Sequence, residues 1–285
     1  MISGYHKSSG RFERRITQSK RRESEERVKH IYVVAQQKGG VGKSTTAQAV
    51  GTCFSLKGCK TLLLDIDPQC NLTTATDAYR DGGTSHDLLT GRASAKDIIQ
   101  PVKEKLDIIP ASSRLSSIAQ ELTKTGREYK LKEALTPILE YYDYIVIDTP
   151  PALGELTINA LTASTDVIIP TMADTFSLDA IRELGDTLET VRKYTNKDLQ
   201  VAGVLLTRYQ PRSIHTQELT ALIQETAEGL GTSVFKTHIR EGVAIREAQT
   251  MRTDIFSYAP RSNVASDYRA FFTELTGREK KRHGK

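Results

Sequence analysis

Short unbroken apolar runs alternate with longer stretches in which apolar residues return every three or four positions, starting at Ile31. The runs are Ile31–Ala35, Thr61–Leu64, Leu106–Ile109, Tyr144–Ile147, Asp166–Pro170 and Gln200–Leu206. Their continuous rather than alternating character predicts strands buried on both faces, as in a parallel sheet. Between them, Thr45–Leu56 reads as a helix closed by Gly58. Ser177–Lys193 reads as another, with Leu178, Ile181, Leu184, Leu188 and Val191 on one face. Ser213–Gly229 and Val264–Leu275 read as further helices. The alternation predicts an α/β fold, a single doubly wound, mostly parallel sheet flanked by helices, over roughly residues 31–277.

Composition narrows the class. The chain has 285 residues, 38% hydrophobic and 26% charged, which is ordinary for a globular chain and excludes a wholly disordered one. The uncharged apolar run at Val167–Pro170 is far short of the roughly 20 residues of a membrane helix, and the basic start lacks the apolar core of a secretory signal. Cys53, Cys59 and Cys70 form no paired framework, as expected in a reducing cytoplasm.

Charge is uneven. Residues 1–30 carry nine Lys/Arg against four Glu, and residues 278–285 carry five against one, while the body is mildly acidic. Residues 1–30 therefore read as a flexible basic arm and residues 278–285 as a basic C-terminal tail, either of which could touch an anionic partner or remain solvated.

The chemistry concentrates after the first predicted strand, in Gln37-Lys38-Gly39-Gly40-Val41-Gly42-Lys43-Ser44-Thr45. Glycines in a strand-to-helix turn let backbone N–H groups close around phosphate oxygens. Lys43 is placed to neutralise β- and γ-phosphates, and Ser44 to ligate Mg²⁺. This is a nucleoside-triphosphate loop spanning Gly39 to Thr45.

With its second lysine, Lys38, the run resembles the deviant Walker A motif KGGxGK[ST] of the ParA/MinD/Soj superfamily. That resemblance implies an Mg²⁺-dependent ATPase whose Lys38 reaches across an ATP-bridged homodimer to phosphates held by the other subunit. The likeness runs from Ile31 to Leu275. Leu63-Leu64-Asp65-Ile66-Asp67-Pro68-Gln69-Cys70-Asn71 is similar to the family's xxDxDPQGN segment, with Cys70 where glycine is usual. By position, Asp67 would orient the attacking water, with Asp65 in the same switch near the metal. Tyr144–Pro151 resembles a Walker B strand, whose Asp148 would hold Mg²⁺ through water. Thr207 falls where the family contacts adenine. Ile239–Arg261 is similar to IPRNVRLxEAPxxGKPIxxYDPR, which places Pro260 near the base.

The resemblance also implies a role in plasmid or chromosome partition. In that role an ATP-bound dimer binds nucleoid DNA without sequence preference, and a centromere-bound adaptor of the ParB type stimulates hydrolysis and releases it. Of two arginines that matter for DNA in the Soj branch, one falls on Arg212 and the other on Ala244. Arg240 and Arg246, close by, together with Lys236, Arg252 and Arg261, could replace the missing charge, as could the basic arm at Arg11–Lys29. The competing reading is a MinD-like ATPase cycling on membranes through a C-terminal amphipathic helix. Tyr268, Phe271, Phe272 and Leu275, however, have the spacing of a helix packed on a core. Iron–sulfur relatives are excluded because no cysteine follows Cys70. Tyrosine-kinase relatives lack support because only Tyr258 and Tyr268 follow Tyr209.

Overall fold

A computed structural model describes residues 30–79, 81–210 and 214–283, so of the expected N-terminal arm, residues 1–30, all but His30 lies outside the described residues, and His30 begins the first strand rather than ending an arm. Within them, one sheet contains β1 (His30–Val34), β2 (Thr61–Asp65), β3 (Gln100–Lys103), β4 (Leu106–Ile109), β5 (Tyr144–Asp148), β6 (Asp166–Thr171) and β7 (Gln200–Leu206). The order is β3-β4-β2-β5-β1-β6-β7, and every pairing is parallel except β3 with β4. β1, β2 and β5 are buried along their whole length, as their unbroken apolar character requires.

Strand alternation sorts these residues into two cores. Ile31, Val33, Leu62, Leu64, Ile145 and Ile147 face one layer, which includes helices Glu155–Ala163, Thr175–Tyr194 and Ile214–Gly229. Tyr32, Val34, Leu63 and Val146 face the other, with helices Lys43–Leu56, Val243–Thr250 and Asn263–His283. Helix Lys43–Leu56 lies close on the sheet because Gly51 allows it: a Cβ there would stand 2.5 Å from Leu63 Cδ2.

Three differences from the sequence reading have physical causes. β3 was not predicted, being a four-residue edge strand with Pro101 and a register irregularity before Lys103, features that limit edge pairing. The helices between β2 and β5 are pieces of three to six residues, too short to show a helical period. The last helix does not stop at Leu275 but continues to His283. Arg278 in it is no free tail cation. Its guanidinium lies 3.9 Å over Phe235 and donates to the carbonyls of Ala202 at 3.1 Å and Val234 at 3.0 Å. Tyr268, Phe271, Phe272 and Leu275 are buried in the second core. Among the described residues no helix is long and apolar enough to cross a membrane.

Candidate active site

The parallel strands bring their carboxyl ends to one edge of the sheet, and the sequence-predicted residues collect there. Lys38–Lys43 follow β1, Asp65 ends β2 with Asp67 two residues on, Asp148 ends β5, Asp174 follows β6 and Thr207 follows β7. Asp65 and Asp148 are direct neighbours in the β2–β5 register, and Val34 is paired with Asp148 on the other side. Crevices at such strand ends are where open α/β sheets bind ligands. The crevice here is a cavity of about 630 Å³ lined by Gly39, Gly40, Gly42–Thr45, Asp67, Pro151, Thr207, Arg240, Arg246 and Gln249, among others. A cavity of equal volume between residues 88–96 and 121–138 contains none of the predicted residues.

The loop has the conformation its glycines permit. Gly40 and Gly42 have φ of 74° and 84°, left-handed values that a side chain would strain. Gly42 caps helix Lys43–Leu56 without any side-chain acceptor, and the ladder begins with Thr46 N–H donating to Gly42 O at 2.9 Å. The first N–H groups of the helix therefore point forward with no cap, at the positive end of the helix dipole. Lys43 is buried, and its Nζ donates to Lys38 O at 3.2 Å. Burial pulls its pKa below the ordinary lysine range, while Asp148 and Asp67 act to keep the proton on.

The three carboxylates differ. Asp65 is fully buried: Oδ2 accepts from Thr73 N at 2.8 Å and Thr73 Oγ1 at 2.7 Å, and Oδ1 accepts from Asp67 N at 3.0 Å. Burial pushes its pKa up to about 6 against the pull of those hydrogen bonds. Its oxygens brace the turn. The residue placed against the ligand space is Asp67, whose Oδ1 also accepts from Gln69 N at 2.9 Å. Asp148 is fully buried with no hydrogen-bond partner for either oxygen among the described residues. Burial first, then Asp65, drives its pKa well above the carboxylate range, opposed by the Ser44 hydroxyl and Lys43. An unpartnered buried carboxylate beside a serine hydroxyl, beneath an uncapped helix N-terminus, fits a hard cation held by Ser44 directly and by Asp148 through water.

Cys70 adopts φ 55°, so it takes up the left-handed turn for which the related pattern uses glycine. Lys38 is ion-paired with Asp174 and lies 5.9 Å from the ring centre of the exposed Phe176. Thr207 is buried against the loop, its hydroxyl donating to Val41 O at 2.9 Å and placed 3.1 Å from Thr171 O. It therefore supports the phosphate loop. Pro260 is exposed and is not among the residues that line the cavity, and its carbonyl accepts from Arg269 Nη1 at 2.7 Å.

The candidate DNA cations Arg240, Arg246 and Lys236 line two different surface depressions. Arg240 and Arg246 line the same cavity as the phosphate loop, with Arg240 held by Asp267 at 2.6 Å. Lys236 lies elsewhere, beside Arg278 and Lys281 in a separate surface depression. Arg212 lies outside the described residues. Ala244 is partly buried against the second core. The sequence reading missed Asp174, Thr73 and Gln249. The first carried a visible signal, an Asp three residues before Ser177 at a helix start.

Comparison with known proteins adds an independent line. The family described as "AAA domain" matches residues 29–201. The chain is 40% identical over 242 residues to the sporulation initiation inhibitor protein Soj of Bacillus subtilis, covering 84% of this chain and 94% of that one. It is 36% identical over 253 residues to the chromosome-partitioning ATPase Soj of Treponema pallidum, covering 88% and 98%. Among solved structures, the cobyrinic acid a,c-diamide synthase of Mycobacterium smegmatis with bound ATP analog and magnesium superposes with a TM-score of 0.76. It is 30% identical, over 90% of this chain and 98% of that one. The fold is also that of a plasmid partition protein of Borrelia burgdorferi bound to AMPPNP, with a TM-score of 0.73 at 24% identity over 88% and 98%.

Proposed function

This chain belongs to the ParA/Soj family of partition ATPases, and from that premise we propose that it is a nucleotide-gated DNA-binding switch. It is a P-loop enzyme that uses ATP and Mg²⁺. The triphosphate lies against Gly39–Thr45, where uncapped N–H groups meet its oxygens and Lys43 balances their charge. Ser44 and, through water, Asp148 would hold Mg²⁺, which would supply charge neutralisation to the phosphates when bound. Asp67 orients the attacking water, and Asp65 fixes the turn that carries Asp67.

Lys38 leaves Asp174 and reaches the phosphates held by a second subunit, so ATP creates the dimer and hydrolysis dissolves it. The dimer holds nucleoid DNA through Arg212 and neighbouring cations without reading sequence, because phosphate contacts carry no base information. An adaptor of the ParB type stimulates turnover. Plasmid or chromosome is the cargo. The observation that supports this reading best is Lys38 itself, next in sequence to the cavity-lining Gly39, its ammonium paired with the partly exposed carboxylate of Asp174, a partner that phosphate could replace. The aromatic residues that a membrane-cycling reading would turn outward are buried.

Light scattering with ATP and with ADP tests the dimer step. Asp67→Ala should accumulate ATP-bound dimers and hydrolyse little. A variant that stays monomeric with ATP, or turns over normally, removes Asp67 from this role.

A further inference from the structure

Helix Val243–Thr250 walls the nucleotide cavity with Ile245, Arg246 and Gln249, while Ala248 is buried in the second core and seats it. Gln249 Nε2 donates to Thr45 Oγ1 at 3.1 Å, linking this wall to the first turn of helix Lys43–Leu56. A threonine in a helix usually returns its hydroxyl proton to the carbonyl four residues back. For Thr45 that carbonyl is Val41 O, which accepts from Thr207 at 2.9 Å, and among the described residues the Thr45 hydroxyl makes no such bond. A hydroxyl has one proton to give and two lone pairs. With the amide of Gln249 on one lone pair, the proton remains for an acceptor in the cavity.

We infer that Gln249 is a positioning residue for the nucleotide: it holds Thr45 so that the hydroxyl proton meets a phosphate oxygen at the helix N-terminus. The inference rests on nucleotide binding at this loop. A donor chain from amide to hydroxyl to phosphate is polarised in one direction, which strengthens each link. The related sequence pattern has proline at this position, which offers no side-chain donor, whereas this chain has Gln249. Because ADP and ATP both bring phosphate to the helix N-terminus, the contact strengthens binding of both and leaves the chemical step alone.

The test is a titration of ribose-labelled fluorescent ADP and of a non-hydrolysable ATP analogue into the full chain, with steady-state ATP turnover alongside. Gln249→Ala should weaken both ligands about threefold to tenfold, the range for one hydrogen bond, raising KM with kcat unchanged. Gln249→Glu should weaken them further, because its carboxylate captures the Thr45 proton and repels phosphate. In a Thr45→Ala background, Gln249→Ala should have no additional effect. Wild-type affinity in Gln249→Ala, or an equal loss in the Thr45→Ala background, overturns the inference. Lys43→Ala separates the two levels. If it loses binding while Gln249→Ala does not, only the role of Gln249 fails; if it binds normally, the site itself is wrong.

Discussion

The two oxygens of Asp174 serve different elements: Oδ2 is ion-paired with Lys38, 136 residues away, while Oδ1 accepts from Ser177 N at 3.0 Å and caps helix Thr175–Tyr194. Lys38 and Ser177 hold the carboxyl below the ordinary range despite the burial that raises it. The loop lysine is thus tethered within its own subunit by a residue that also starts a long helix. Asp174→Asn keeps the cap, since an asparagine oxygen accepts the same N–H, and removes the ion pair. The expected result is ATP-dependent dimerisation at several-fold lower protein concentration, read by light scattering. An unchanged or higher concentration requirement would show that the tether does not compete with the dimer.

Lys43 is a cation buried at a cost that phosphate charge repays. Lys43→Ala should lower ATP and ADP affinity by two orders of magnitude or more, roughly the worth of a buried charge-assisted pair. Isothermal titration checks it, and near-normal affinity contradicts the assignment of the loop.

Asp148 predicts an opposition between activity and stability. Its unpartnered buried oxygens cost the metal-free fold about 1–3 kcal/mol. Asp148→Asn should therefore raise the metal-free melting temperature by several degrees, at roughly 2–4 °C per kcal/mol for a domain of this size, while abolishing Mg²⁺-dependent turnover. The pH dependence has a definite sign. Asp148 and Asp65 have folded pKa values above the ordinary 3.8, so their protonated forms favour the fold below that value. The contribution is lost as pH rises through the folded values. The stability advantage of Asp148→Asn over metal-free wild type should therefore widen as pH rises from about 4 past 6, and a constant difference would contradict it. Calorimetry across that range decides it.

How much of this was legible in the sequence follows from the range of each interaction. β1, β2 and β5 could be read because two-sided burial leaves an unbroken apolar run, and the loop because its glycines and lysines are contiguous. The Lys38–Asp174 pair and the Gln249–Thr45 contact were not, because no local period relates residues 136 and 204 positions apart. Thr207 and Pro260 were placed by resemblance, which gives a neighbourhood but not the direction of a hydroxyl or the exposure of a ring. Position in the pattern could not show that Thr207 turns its proton to Val41 O.

Arg252 offers a test of backbone strain away from the chemistry. It has φ 50°, at the place where the related pattern has glycine, and among the described residues its guanidinium makes only an exposed pair with Asp77. Removing a left-handed side chain gains about 1 kcal/mol, and the exposed pair is worth less. Arg252→Gly should raise the midpoint of urea unfolding with nucleotide affinity unchanged. A lowered midpoint would show that the side chain matters more than the strain.

Binding of a random-sequence DNA duplex, measured with ATP, with ADP and without nucleotide across a salt series, tests the switch most directly. The account predicts tight binding with ATP alone, falling steeply with salt and insensitive to sequence, and weakened by Arg212→Ala. DNA binding that is equal in all three nucleotide states, or absent from all of them, would contradict it.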